Sequence, residues 1–216
     1  MITAQTQKTQ IHSLFNLKEI KSEAKKQIKK IKSTSKKTIE NNKIAIGKAD
    51  EKVHDVIGNI KMGETIHYAS IGEWSMHNLL FHLLNKTGPA NVFISTWSVS
   101  EDAVRQIIDK IKTGFILNIK AVFDWRVKLR RPEAFELAKF NIADIRLTTC
   151  HAKVTIIQNE NWDIVVVGSA NYTNNPRIEA GVISCDKTAA EFHKSWMTEE
   201  LNQADPFDTK KRSKHK

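Results

Sequence analysis

The stretch from Thr148 to Val182, TTCHAKVTIIQNENWDIVVVGSANYTNNPRIEAGV, decides how the whole chain is read. Its two β-branched runs, Lys153 to Gln158 and Asp163 to Gly168, are separated by Asn159-Glu160-Asn161-Trp162. That pattern predicts an antiparallel hairpin with a polar turn. His151 and Lys153 are two residues apart, so on a strand their side chains leave the same face. Ser169 and Asn171 repeat that spacing where the second strand returns beside the first. An imidazole, an ammonium, a hydroxyl and an amide at one sheet end make a phosphate-sized cluster: one nucleophile or proton carrier and three donors for nonbridging oxygens. Gly168 lets the backbone approach such a ligand closely. Cys150 adjoins His151 but points to the opposite face, which places it in the core.

Upstream of the hairpin the chain alternates between strand and helix patterns. Glu64 to Ile71 is strand-like, and Trp74 to Leu84 is helical. Ala90 to Val99 is a strand; Ser100 then caps a helix with Glu101 and Asp102 in its first turn, ending at Gly114. Phe115 to Phe123, Pro132 to Phe140 and Ile142 to Thr148 read as strand, helix and strand. Downstream, Glu179 to Cys185 is a last strand and Lys187 to Leu201 a last helix. The alternation predicts an α/β domain with a mixed, mostly parallel sheet flanked by helices. No internal repeat stands out.

The 216 residues suit one compact domain with accessory segments. No apolar run approaches the roughly 18 to 20 residues of a membrane helix, and the polar start MITAQTQKTQ lacks a signal-peptide core. Two cysteines, Cys150 and Cys185, are too few for a disulfide scaffold, so a reducing cytoplasmic location is expected. The net charge of +10 is unevenly spread: residues 1–50 carry +8, residues 205–216 carry +3, and the remainder carries −1. Basic arms on a neutral body attract a polyanion by counterion release.

The predicted organisation is a basic amphipathic helical extension and linker over 1–50, a catalytic domain over 60–203, and a basic tail over 204–216. In the extension Leu14, Leu17, Ile20, Ala24, Ile28 and Ile31 form one apolar helical stripe. Lys25, Lys26, Lys29 and Lys30 occupy much of the remaining surface as candidate nucleic-acid contacts. A linker is expected around 33–47. The cluster Arg126, Lys128, Arg130 and Arg131, beside Trp125, is a second candidate nucleic-acid surface. The other tryptophans read as packing residues.

The motif set resembles the phospholipase D superfamily, whose signature is H-x-K, four residues, D, then G-S-x-N and a downstream acid. Here it stands as His151-Ala152-Lys153, Gly168-Ser169-Ala170-Asn171 and Glu179, and the likeness spans about 64–201. One position departs from it: Gln158 stands where the signature has Asp. The resemblance implies two-step phosphoryl transfer through a covalent phosphohistidine at His151. Lys153 and Asn171 would hold the phosphate with help from Ser169, and Glu179 would orient the imidazole.

Such chemistry needs one neutral histidine to attack and one protonated histidine to serve the leaving oxygen. This chain has a single H-x-K, so an obligate C₂ dimer is expected to bring two copies of His151 together. The resulting expectation is a metal-independent phosphoric diester hydrolase, an endonuclease-like enzyme acting on DNA or RNA without a cofactor. No metal-ligand spacing is evident in the sequence. Two alternatives are a phospholipase or phosphatidyl-transfer enzyme at a membrane surface, and a nucleic-acid-binding protein whose site Gln158 has disabled. A membrane partner is the less expected, because the apolar stripe is narrow and poor in aromatics.

Overall fold

A computed structural model describes residues 42–46, 52–72 and 74–203. The lysines proposed for the N-terminal extension, and the basic tail, lie outside the described residues. In chain order the elements are β1 (Asn42–Ile46), α1 (Val53–Ile57), β2 (Thr65–Ile71), α2 (Met76–Thr87), β3 (Ala90–Thr96) and α3 (Glu101–Lys112). They continue as β4 (Ile116–Asp124), α4 (Arg126–Arg130), α5 (Pro132–Asn141), β5 (Asp144–Thr148), β6 (Val154–Gln158), β7 (Asp163–Gly168), β8 (Ile178–Ser184) and α6 (Lys187–Leu201).

Local chemistry sets most of these boundaries. Ser75 opens α2 with a capping box to Asn78, and the Ser100 hydroxyl accepts from Ala103 N at 3.2 Å to open α3. Asp186 does the same for α6, accepting from Ala189 N at 2.7 Å. Gly114, at φ 77°, turns the chain from α3 into β4. In β2 the alternation buries Ile66, Tyr68 and Ser70 and exposes His67.

The strands form one eight-stranded sheet in the order β1-β2-β8-β7-β6-β3-β4-β5. It is mixed as expected, but four of its seven pairings are antiparallel, so the expected parallel majority is corrected. Helical crossovers between β3, β4 and β5 make those pairs parallel, whereas the tight turn joining β6 to β7 forces reversal. The expected linker is corrected as well: 42–46 is a strand that runs parallel to β2 as the sheet edge.

Two cores sandwich the sheet. On one face Ile66, Ile94, Phe123 and Ile164 pack with residues of α1 to α5, including Leu80, Ile107 and Phe135. On the other, Ala190 and Met197 of α6 pack with Phe93, Val122, Ile156 and Val165. Helix α6 covers the β3 to β7 side of that second face. Beyond it, alternation from Val165 turns Val167, Val182, Ala180 and Ile178 outward, with Val167 and Ile178 exposed.

The strand directions gather several strand ends at one edge. The C-terminal ends of β3 and β4 meet the start of β6, since Ser95 pairs with Val154. The end of β7 and the first residues of β8 reach the same edge through Val167↔Val154 and Gly168↔Gly181. Ligands of open α/β sheets bind at such carboxyl ends, where ladder pairing stops and side chains fan outward.

Candidate active site

His151 and Lys153 lie in the short segment feeding β6. The imidazole is exposed, whereas Lys153 is buried along its stem. Its Nζ donates to the His151 carbonyl at 2.8 Å and sits 3.2 Å from His151 Nδ1 and 3.4 Å from Nε2. An ammonium is thus clamped against the imidazole, but not on a strand as expected: β6 begins at Val154, after both residues. Burial lowers the Lys153 pKa, while the nearby acidic groups, Glu179 and Asp124 among them, oppose the shift.

The hairpin brings the second motif alongside. Gly168 N donates to Lys153 O at 3.2 Å, and Ser169 N donates to Ala180 O at 2.9 Å. Ser169 Oγ accepts from Ala180 N at 3.0 Å and donates to Glu179 Oε2. Asn175 Nδ2 donates to Glu179 Oε1 at 2.9 Å. Both Glu179 oxygens are therefore engaged within the loop, and neither meets His151; the imidazole-orienting role expected of Glu179 is absent from this geometry. Asn171 Oδ1 accepts from Thr96 Oγ1 at 3.1 Å. Tyr172 N donates to Ser98 O at 3.2 Å and Ser100 N to Tyr172 O at 2.8 Å, so the 169–172 loop is laced to the crest after β3.

Gly168 and Gly181 are there for space. A Cβ at Gly181 would sit 2.6 Å from Tyr68 Oη and 2.8 Å from Val167 O, and one at Gly168 would sit 2.9 Å from Ala180 O. The Tyr68 ring occupies the room they leave, with its hydroxyl buried and without a partner among the described residues. Burial first, and then the Glu179 charge, raise its pKa. It is a neutral phenol.

Asp124 is the residue of the candidate site that sequence reasoning missed. Fully buried at the end of β4, it accepts from Cys150 N at 3.1 Å through Oδ2. It also accepts from Arg126 Nε at 2.6 Å and N at 3.0 Å through Oδ1, and from Arg126 Nη2 at 3.0 Å through Oδ2. One carboxylate therefore ties α4 to the residue preceding His151. The available signal was an Asp at the carboxyl end of a strand, followed two residues on by Arg. Cys150 is buried as expected, and Ser95 Oγ lies 3.1 Å from its Sγ.

Gln158 stands at the other end of β6, five residues and about 16 Å from Lys153 at the usual strand rise. Its Nε2 donates to Asp163 Oδ1 at 2.7 Å and Glu191 Oε1 at 2.9 Å, joining the hairpin to α6. It also lines a cavity of about 700 Å³ that is remote from His151. Among the described residues no group of three His, Cys, Asp or Glu side chains is placed to hold a metal ion. No helix among them is long and apolar enough to cross a membrane.

Neither a protein-family model nor a curated protein matches the chain. Among solved structures, it is similar to Nuc from Salmonella typhimurium, a phospholipase D family member, with TM-score 0.51 and 21% identity over 65% of this chain and 96% of that one. NucT from Helicobacter pylori gives TM-score 0.46 and 20% identity, over 64% and 96%. TrmBL2, an archaeal chromatin protein, gives 0.43 and 14%, over 65% and 54%. The likeness to Nuc shows that the two chains share a fold.

Proposed function

We propose, from the phospholipase D fold as premise, that this chain is a phosphodiesterase cleaving nucleic-acid strands through a covalent phosphohistidine on His151. The observation that carries the reading is the clamp of Lys153 Nζ on an exposed His151 imidazole, at the sheet edge where Ser169, Asn171 and Glu179 also gather. A neutral His151 nitrogen attacks phosphorus, forming the N–P bond as the P–O bond to the leaving group breaks. The second imidazole, from another copy of the chain, gives its proton to that oxygen. It then takes a proton from water, whose oxygen bonds to phosphorus as the N–P bond breaks, and both rings return to their starting states. Lys153 and the Asn171 amide neutralise and orient the nonbridging oxygens. Glu179 holds the Ser169 loop in shape.

A homodimer supplies the second histidine. Val167 and Ile178, exposed on the sheet face beyond α6, are chain neighbours of Gly168 and Glu179, so an apolar contact between copies would adjoin the site. The placement of Gln158, held away from Lys153 by its own hydrogen bonds, argues against reading that substitution as a disabled site.

The test is to trap the intermediate: label an oligonucleotide phosphate, quench during turnover, and map the label. Label on His151, lost in His151→Ala, is the expected result. Turnover that survives His151→Ala would overturn the mechanism, and a monomer by light scattering under active conditions would overturn the shared site.

A further inference from the structure

We infer that Trp97, Arg126 and Arg130 form a second subsite that grips a phosphate next to the scissile one on the same nucleic-acid strand. The inference rests on the hydrolytic reading of His151 and specifies its substrate as a polymer of phosphodiesters.

Trp97 stands on the crest after β3, which Asn171 and Tyr172 hold in place. Its ring centroid is 5.8 Å from that of His151. The Arg126 guanidinium lies 5.1 Å from the same indole centroid and that of Arg130 lies 5.3 Å away. Arg126 and Arg130 are four residues apart on α4, which puts both on one helix face. Lys128 points elsewhere, its Nζ lying 6.0 Å from the Phe135 ring. Of the four basic residues in this segment, Arg126 and Arg130 alone share the tryptophan beside His151.

Three observations make this a binding surface. Arg130 is exposed and makes no ion pair among the described residues, so its fork of donors is uncommitted. Arg126 spends Nε and Nη2 on Asp124, which fixes its plane and leaves Nη1 outside that pair. The buried Trp97 Nε1 has no acceptor among the described residues, so the indole is held by its ring contacts. Two guanidiniums over one indole offer a phosphate the open fork of Arg130 beside the Nη1 of a fixed Arg126. With Lys153 and Asn171 serving the phosphate under attack, the two arginines are left for its neighbour.

The experiment compares the full-length protein with Arg130→Ala, Arg130→Lys and Trp97→Leu, using Lys110→Ala on α3 as a control for net charge. Two substrates are used: bis(p-nitrophenyl) phosphate, which has a single diester, and a single-stranded octanucleotide. The ratio of kcat/KM for octanucleotide over single diester should fall about tenfold in Arg130→Ala and in Trp97→Leu, the loss expected for one charge-assisted pair. The salt slope of octanucleotide binding should drop by about one in Arg130→Ala and recover in Arg130→Lys, which keeps the charge without the fork. Lys110→Ala should change neither. An equal loss on both substrates, an unchanged ratio, or a matching loss in Lys110→Ala overturns the subsite. So does selective weakening of binding to phosphatidylserine vesicles in place of the octanucleotide. A protein that turns over neither substrate overturns the hydrolytic reading instead, and the salt slope measured on His151→Ala then still decides the subsite.

Discussion

Replacing Asp124 with Asn should loosen the site without touching a residue of the proposed chemistry. The carboxylate is fully buried and accepts four hydrogen bonds, three from Arg126 and one from Cys150 N. An amide of the same shape keeps one acceptor oxygen. If that oxygen serves Arg126 Nε and N, its NH₂ faces Cys150 N and Arg126 Nη2, donor against donor. A buried N–H left unpaired costs about 1–3 kcal/mol. The Arg126 side chain is 32% exposed and can turn to water, so the 3–5 kcal/mol of breaking a fully buried pair is an upper bound. A loss of about 2–4 kcal/mol follows, which at an ordinary urea m-value lowers the unfolding midpoint by about 1–2 M. Cys150 precedes His151, so the released segment shifts the imidazole, and displacements near 1 Å cost up to about 100-fold in rate.

Urea unfolding and kcat on bis(p-nitrophenyl) phosphate read the two effects. Asp124→Asn with a stability change under about 0.5 kcal/mol, within the range of an ordinary surface change, and with unaltered kcat would refute the brace. A pH arm adds a signature. Burial pushes the Asp124 carboxyl up, but Arg126 and the backbone N–H of Cys150 outweigh it and hold the group below its ordinary 3.8. On acidification the unfolded chain takes the proton first, so the stabilisation is whole above that ordinary value and is lost as pH falls through the folded one. Asp124→Asn should lack this acid-dependent component.

His151→Ala should lower turnover by at least about 10³-fold, with wild-type rates unchanged in EDTA; metal-dependent turnover would contradict a histidine nucleophile. Burial lowers the Lys153 pKa, so kcat/KM should decline on the alkaline side as pH rises through that lowered value, and Lys153→Arg should remove the decline in whatever activity it retains. Tyr68→Phe deletes a buried hydroxyl that is unpaired among the described residues and should raise stability by about 1 kcal/mol in urea unfolding; a loss of that size would mean the hydroxyl has a partner. Gly181→Ala should cost about 1–3 kcal/mol by overpacking, with part of the loss recovered in the double variant with Tyr68→Phe.

What the sequence made legible follows the range of the interactions involved. The cap at Ser100 acts over three residues, and the hairpin from Gln158 to Asp163 closes over five, so residue type alone points to them. His151 with Lys153, and Ser169 with Asn171, stand out by their two-residue spacing, although the strands that this spacing implies begin after the first pair and end before the second. Of the five-residue elements, β1 falls inside the expected linker, and α1 and α4 show too little periodicity to be read as helices. The direction of pairing was lost for another reason. Composition reports that a strand is buried, whereas direction depends on connections, and β8 slots between β2 and β7 rather than extending a parallel series.

The site divides along the same line. The contact from Asp124 to Cys150 spans 26 residues and that from Thr96 to Asn171 spans 75, so no local pattern announces either. Both arise because β3 and β4 run one way and β6 returns beside β3, which gathers Thr96, Trp97, Asp124 and His151 at a single edge. Trp97 and Asp124 follow directly from strand ends in a particular sheet order, and their side chains acquire a role only once that order is known. The motif therefore locates the atoms of the proposed chemistry, while the topology determines which charged and aromatic groups surround them. A change in the crest after β3 or in α4 should accordingly alter which phosphodiesters are cleaved with less effect on the attack at phosphorus.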